Sequence, residues 1–134
     1  MKLKLLIALA AFGIACAAWA GNDMDPIAVG AGMYKLHYEN DRVRVMEVTF
    51  EPGAKIGMHS HPDHAVYFIE GGQLKVTTPD GKEAMLDAKT GDAAWLSAQT
   101  HQGENTGKTR IRILVTELKE PAPAKAAEPA AEKK

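Results

Sequence analysis

The sequence predicts an all-β fold for residues 34–118. Short runs of alternating apolar and polar residues recur along this segment, and turns that contain glycine or proline separate them. Such a series of short strands is typical of a β-sandwich, a barrel or a jelly roll. The segment contains no amphipathic helical stretch of useful length, so mixed helix-and-sheet architectures are not expected.

The predicted strands follow one another at short intervals. Val43, Val45 and Val48 alternate with polar residues apart from one change of phase, which a bulge near Met46 would explain. Residues 79–81, Pro-Asp-Gly, predict a hairpin turn, because proline presets φ and glycine supplies a positive φ. Further strands are predicted over 65–69, 73–78, 93–96 and 110–115.

Length and composition limit the classes of function. The chain has 134 residues, which favours one domain, since a domain typically takes about 100–200 residues. The 16 Lys and Arg residues against 17 Asp and Glu residues give a formal net charge of −1, and without a long basic run nucleic acid is not an expected partner. The single cysteine excludes a disulfide framework and a cysteine-based metal cluster within one chain.

Residues 1–20 have the pattern of a cleaved secretory signal peptide. Lys2 and Lys4 precede an apolar stretch, and residues 18–20, Ala-Trp-Ala, form a small-x-small cleavage site. The apolar stretch is shorter than the roughly 20 residues that cross a bilayer, so we expect no membrane span, and an uncleaved anchor is the less favoured alternative. Cleavage after Ala20 would leave a mature chain without cysteine, which suits the periplasm or the extracellular medium.

Two further segments lack the composition of a folded core. Residues 119–134 are the predicted disordered tail, because from residue 121 onward they contain only Pro, Ala, Lys and Glu and offer no large apolar side chain to bury. Residues 21–33 are rich in glycine, and we expect them to be loose as well. The folded domain is therefore predicted to span 34–118.

Four of the five histidines provide the candidate chemistry. His59 and His61 are separated by one residue, so on a strand both side chains point to the same face. Two neutral imidazoles that converge inside a barrel suit a divalent transition metal, and His101 from another strand is the candidate third ligand. The alternative is that His59, His61 and His64 belong to a polar turn around Pro62.

Glycines recur at fixed distances from these histidines. Gly53 lies six positions before the His-x-His pair of His59 and His61, and Gly72 follows the pair. Gly91 opens a second segment, at whose end His101 is followed, after three intervening residues, by Asn105. This spacing resembles the two sequence motifs of the cupin superfamily. The resemblance implies a small single-domain cupin with a double-sheet jelly-roll barrel, a small-molecule ligand in the barrel and a homodimer.

One ligand of that family has no counterpart in this sequence. At the position of the family's metal-binding glutamate the chain has Ala65 or Val66, neither of which can bind a metal. His64 lies one position earlier and is the expected substitute, which would complete an all-histidine set with the three candidate ligands. Such a site carries less negative charge, so chemistry of the two-His-one-carboxylate type is less favoured.

Three functions follow from these observations. The favoured one is an exported cupin-domain protein that binds a divalent metal (Fe, Mn, Zn or Ni) through histidines and has a small-molecule role. The first alternative is a metal-dependent enzyme of the dioxygenase or isomerase type, for which no catalytic residue is assigned. The second alternative is a metal-free structural or ligand-binding module. The fold by itself does not select among them, because one fold hosts many activities.

Overall fold

The computed structural model of the protein describes residues 23–119. In chain order these residues form α1 (Pro26–Val29), β1 (Tyr34–Glu39), β2 (Val43–Phe50), β3 (Lys55–His61), β4 (His64–Glu70), β5 (Gly72–Thr77), β6 (Glu83–Ala88), β7 (Ala93–Leu96), β8 (Gln99–Asn105) and β9 (Ile111–Leu118). The predicted all-β class is confirmed. The predicted signal peptide, and the predicted tail apart from Lys119, lie outside the described residues. Within residues 23–119 no helix is long and apolar enough to cross a membrane.

The strands form two antiparallel sheets that enclose the core. One sheet has the order β1-β2-β9-β4-β7, and the other has the order β3-β8-β5-β6. Most hydrogen-bonded neighbours are therefore distant in the sequence, and the chain changes sheet after β2, β3, β4, β6, β7 and β8. This connectivity confirms the predicted double-sheet jelly-roll barrel.

The apolar core lies between the sheets and is built largely by β2 and β9. Their inward positions are paired in register, namely Met46 with Val115, Val48 with Ile113 and Phe50 with Ile111. All six of these side chains are buried. The buried cluster is completed by Ile56, Phe68, Leu74 and Ala88.

The register of β2 corrects one expectation from the sequence. β2 pairs with β9 along its whole length without interruption, so β2 itself has no bulge near Met46. The register shift at this point lies in the neighbouring strand β1, between Leu36 and Tyr38, which pair with Met46 and Val45. The inward positions of β2 begin with Arg44, which is buried, whereas Val43 and Val45 alternate with it and face outward. A charged side chain at an inward position therefore gave the false appearance of a change of phase.

Residues 23–33 differ from the loose segment that the sequence predicts. They contain α1, which Asp25 caps: its Oδ1 accepts a hydrogen bond from the backbone N–H of Ile27 at 2.9 Å. Proline at the start of α1 favours the helical φ. The backbone N–H of Ser60 on β3 donates to the carbonyl oxygen of Met24 at 2.8 Å. Three apolar side chains of the segment pack against the core: Ile27, Val29 and Met33.

Two structural requirements explain why glycine occupies the motif positions Gly53, Gly72 and Gly91. The backbone φ is +80° at Gly53 and +91° at Gly91, in the left-handed region that glycine adopts without steric cost. At Gly72, a Cβ atom would lie only 2.7 Å from Cγ1 of Ile111 in the opposite sheet. The glycine spacing in the sequence therefore follows from turn geometry and from close packing between the sheets.

Asn105 fixes the connection between β8 and β9. Its side chain is fully buried, and its amide nitrogen donates to the carbonyl oxygens of Phe50 (3.0 Å) and Thr109 (2.8 Å). Its Oδ1 accepts a hydrogen bond from the N–H of Gly107 at 3.0 Å. One side chain therefore holds the end of β2 and two points of the β8–β9 loop together.

We expect Asn105→Ala to lower the free energy of unfolding by about 2–4 kcal/mol, because the carbonyls of Phe50 and Thr109 lose their donor and each buried unpartnered acceptor costs about 1–3 kcal/mol. Urea unfolding followed by circular dichroism measures this change. Thr106→Ala, at the exposed neighbouring position, is the control and should change stability by less than about 0.5 kcal/mol. Equal losses in the two variants would contradict the role assigned to Asn105.

Candidate metal centre

The four histidines singled out in the sequence meet inside one end of the barrel. His59 and His61 lie on β3, and His101 lies on β8 directly opposite His59. His64 begins β4 in the other sheet. His59, His61 and His64 are buried, and His101 is partly buried. The two sheets therefore bring imidazoles from three strands to one region of the interior.

Three of the imidazoles converge on one point. The ligand atoms that His59, His61 and His101 offer all lie within 4.8 Å of one another. The ring centroids are 4.9 Å apart for His59 and His61, 4.7 Å for His59 and His101, and 5.3 Å for His61 and His101. Imidazole nitrogens are favoured ligands of zinc, iron and nickel, so this set of donors fits a divalent transition metal.

Hydrogen bonds orient two of these rings. Nδ1 of His59 lies 2.7 Å from the carbonyl oxygen of Gly57, and Nδ1 of His61 lies 2.6 Å from Oε1 of Glu117. Both partners are acceptors, so each ring donates from Nδ1 and keeps the lone pair of Nε2 for a ligand. Nδ1 of His101 is buried with no hydrogen-bond partner in the described part of the chain. Ligation of a metal ion would explain such an unpartnered nitrogen.

His64 faces the same region from the opposite sheet. Its ring centroid lies 4.7 Å from that of His61, and its Nδ1 donates to the carbonyl oxygen of Pro62 at 2.7 Å. Pro62 and Asp63 connect the two sheets, and this connection lets His64 face inward while Ala65 is exposed. The group whose ligand atoms lie within 4.8 Å does not include His64, and its role as a metal ligand stays a prediction.

Burial keeps the four imidazoles neutral at neutral pH. It lowers the pKa of His61 to about 2, with a further contribution from the neighbouring histidines. It lowers the pKa of His101 to about 2 as well, again assisted by the other three rings. Burial also lowers the pKa of His59 and of His64. Because metals bind the neutral imidazole, the cluster is already in the form that binds a metal.

A buried ion pair beside His61 was not predicted from the sequence. Glu117 on β9 is fully buried and lies opposite Arg44 on β2. Its Oε2 accepts a hydrogen bond from Nε of Arg44 at 2.8 Å and forms an ion pair with Nη2 at 2.7 Å. Nη1 of Arg44 lies 2.6 Å from Oδ2 of Asp25. Burial raises the pKa of Glu117, and Arg44 opposes that rise.

The sequence does contain a signal for this ion pair. Ile111, Ile113 and Val115 occupy the inward positions of β9, and the next inward position is Glu117. The inward positions of β2, followed toward its start, reach Arg44 in the same way. A charged residue at an inward position on each of two paired strands indicates a buried ion pair, provided that the alternation is assumed to continue.

Comparison with protein families agrees with this architecture. A family model described as "Cupin domain" matches residues 46–117, which is more than half of the chain. The matched range contains all four clustered histidines and Glu117. No protein with a curated description matches the chain.

Solved structures of related architecture include several bacterial proteins. A cupin domain from Bordetella pertussis Tohama I is 27% identical, has a TM-score of 0.60, and is matched over 65% of this chain and 92% of that chain. A protein from Bacillus halodurans is 21% identical, with a TM-score of 0.55 and coverage of 68% and 73%. The polyketide cyclase RemF from Streptomyces resistomycificus is 22% identical, with a TM-score of 0.51 and coverage of 67% and 66%. The last two similarities show the fold alone.

We expect the metal-free protein to lose stability as the pH falls from 7 to 5. The four histidines have lowered pKa values in the folded state, whereas in the unfolded chain they take up protons below a pH of about 6.5. Proton uptake by the unfolded chain lowers the free energy of unfolding by up to about 1.4 kcal/mol per pH unit for each histidine. Glu117, whose pKa is raised, takes up its proton first in the folded state and offsets part of this loss.

Thermal or urea unfolding at several pH values, with a chelator present, measures this dependence. His101→Leu should reduce the slope, because it removes one group that must stay neutral in the folded state. Thr106→Ala should leave the slope unchanged, since it removes an exposed side chain that does not titrate. A stability that does not vary between pH 7 and 5 would contradict the neutral cluster.

Proposed function

The chain belongs to the cupin domain family, and we propose that it binds a divalent transition metal through His59, His61 and His101. The observation that carries this proposal is the convergence of their ligand atoms within 4.8 Å. It is the one group of three or more His, Cys, Asp or Glu side chains with this geometry in residues 23–119. The neutral state of the rings and the unpartnered Nδ1 of His101 support the same proposal.

The proposed role of the site is to take a small molecule at the metal. Three protein ligands leave coordination positions open, and a bound divalent ion supplies Lewis acidity toward an oxygen atom of such a molecule. The protein ligands are uncharged, so they leave the charge of the ion uncompensated, which favours an anionic oxygen donor. His64, whose ring packs against that of His61, is kept as the candidate fourth ligand.

A metal-dependent enzyme is the second candidate function. The open coordination positions of a three-histidine site favour it, because a catalytic metal needs a position for substrate or water. The identity of the bound metal separates the possibilities. Iron or manganese would favour O₂ chemistry, and zinc would favour hydrolysis, isomerisation or a structural role.

We expect the untagged protein, purified after export, to contain close to one equivalent of a divalent transition metal. His59→Ala and His61→Ala should each weaken metal affinity by more than about 100-fold, because each removes a ligand. Loss of a residue that only hydrogen-bonds to a ligand costs roughly 10- to 100-fold. Elemental analysis and competition with a chelating dye measure content and affinity.

His37→Ala is the matched control, since it removes an exposed histidine from the same barrel, and its metal content should equal that of the wild type. Equal loss of metal in all three variants would remove the proposed site. Absence of metal after reconstitution with several divalent ions would leave a metal-free binding module.

We also propose that the protein is exported to the periplasm or secreted. The support is the sequence pattern of residues 1–20, with its two lysines, its apolar stretch and its small-x-small site. The mature chain suits such a compartment, because the only cysteine of the chain, Cys16, lies in the segment that cleavage removes.

We expect the mature protein to begin at Gly21. Expression of the full chain in a bacterial host, fractionation of the cells, and N-terminal sequencing of the purified product test this expectation. Lys2→Glu together with Lys4→Glu is the control, because it removes the positive start of the signal and should retain the precursor in the cytoplasm. A wild-type product that keeps residues 1–20 in the cytoplasmic fraction would overturn the proposal of export.

A further inference from the structure

We infer that Glu117 is a positioning residue for the histidine cluster: it holds the proton of His61 on Nδ1 and so keeps Nε2 as a free donor. The inference deepens the proposed function, since its purpose rests on metal binding by His61. The hydrogen bond itself does not require a metal ion, so it can be tested separately in the metal-free protein.

The contacts of Glu117 leave each carboxylate oxygen with its own partner. Oε2 accepts a hydrogen bond from Nε of Arg44 at 2.8 Å and lies 2.7 Å from Nη2 in the ion pair. Oε1 receives Nδ1 of His61 at 2.6 Å. Because both oxygens are engaged, Glu117 acts on a bound ion through His61 rather than as a ligand itself.

The fixed position of Arg44 determines which oxygen faces His61. Nη1 of Arg44 is held by Oδ2 of Asp25 at 2.6 Å, while Oδ1 of the same carboxylate caps α1. The guanidinium therefore stays on the Oε2 side of Glu117. The remaining oxygen, Oε1, lies 2.6 Å from Nδ1 of His61 and accepts its proton in a hydrogen bond.

The ring of His61 has a tautomer that depends on this acceptor. A neutral imidazole carries one proton, so a proton on Nδ1 leaves the lone pair on Nε2. If the proton moves to Nε2, that nitrogen becomes a donor and can no longer bind a metal. The partner of Nδ1 therefore decides whether Nε2 is available to the cluster.

Glu117→Gln changes this partner with almost no change of shape. A glutamine amide has one oxygen and one NH₂ group, whereas Arg44 and the present tautomer of His61 both need an acceptor. The charged guanidinium is the stronger donor, so we expect the amide oxygen to face Arg44 and the NH₂ group to face Nδ1 of His61. His61 must then accept at Nδ1 and carry its proton on Nε2.

The test begins with the tautomer of His61 in the wild-type protein. Long-range ¹H–¹⁵N correlation spectra of the metal-free, ¹⁵N-labelled protein at pH 7 distinguish a protonated from an unprotonated ring nitrogen. We expect Nδ1 to be protonated and Nε2 to be unprotonated. A proton on Nε2 and none on Nδ1 in the wild type would overturn the inference. This result does not depend on whether any variant folds.

The second step compares Glu117→Gln with the wild type. We expect the proton of His61 to move to Nε2 in the metal-free variant, and the affinity for Co²⁺, measured from its visible absorption, to fall by about 10- to 100-fold. A loss of Co²⁺ affinity without a change of tautomer would overturn the inference, because it would show that Glu117 acts by its charge alone. An unchanged tautomer with unchanged affinity would overturn it as well.

Glu70→Gln is the matched control. Like Glu117, Glu70 pairs with an arginine: it accepts hydrogen bonds from Nε and Nη2 of Arg110 at 2.8 Å each. It lies at the far end of β4 from His64 and is partly exposed. Its substitution should leave both the tautomer of His61 and the Co²⁺ affinity unchanged. A wild-type protein that binds no Co²⁺ would refute the proposed function, while the tautomer measurement would still decide the inference on Glu117.

Discussion

The in-register pairing of β2 with β9 is the constraint on which the rest of the barrel depends. Side chains alternate with a period of two along a strand, so one register fixes every inward pair at once. Three of these pairs are apolar and form the centre of the core, and the fourth is Arg44 with Glu117. A shift by one residue would turn this ion pair outward together with the core side chains. The polar site and the apolar core are therefore set by the same hydrogen-bond ladder.

Charge inside the barrel is tolerated because each charged group has a partner. An unpaired buried ion is strongly destabilising, and here Glu117 is bound by Arg44, which is in turn bound by Asp25. The histidines avoid the penalty in another way, since burial keeps them neutral. Glu117 belongs to the five-stranded sheet and His61 to the four-stranded sheet, so the hydrogen bond between them joins the two layers across the interior.

Features that depend on local pattern could be predicted from the sequence, and features that depend on distant partners could not. The turn glycines and the common face of His59 and His61 follow from a few neighbouring residues. The placement of residues 23–33 follows instead from the contacts of Met24 with Ser60 and of Asp25 with Arg44, which glycine content does not reveal. Arg44 and Glu117 are 73 positions apart, and each taken alone resembles an ordinary solvated charge. Only their inward positions on paired strands distinguish them.

The location of the carboxylate determines which chemistry the site favours. The sequence has Ala65 or Val66 at the position where the cupin motif has a metal-binding glutamate. This difference predicts a site with less negative charge. The structure places a carboxylate behind His61, where both of its oxygens are engaged. A ligating carboxylate would occupy a coordination position and compensate the charge of the ion directly, whereas Glu117 would act on the ion only through His61. An ion at the proposed site would have no anionic protein ligand and would keep its open positions, while the hydrogen bond from His61 to Glu117 makes that imidazole a stronger donor. This combination favours capture of an anionic oxygen donor over reactions that need a ligating carboxylate.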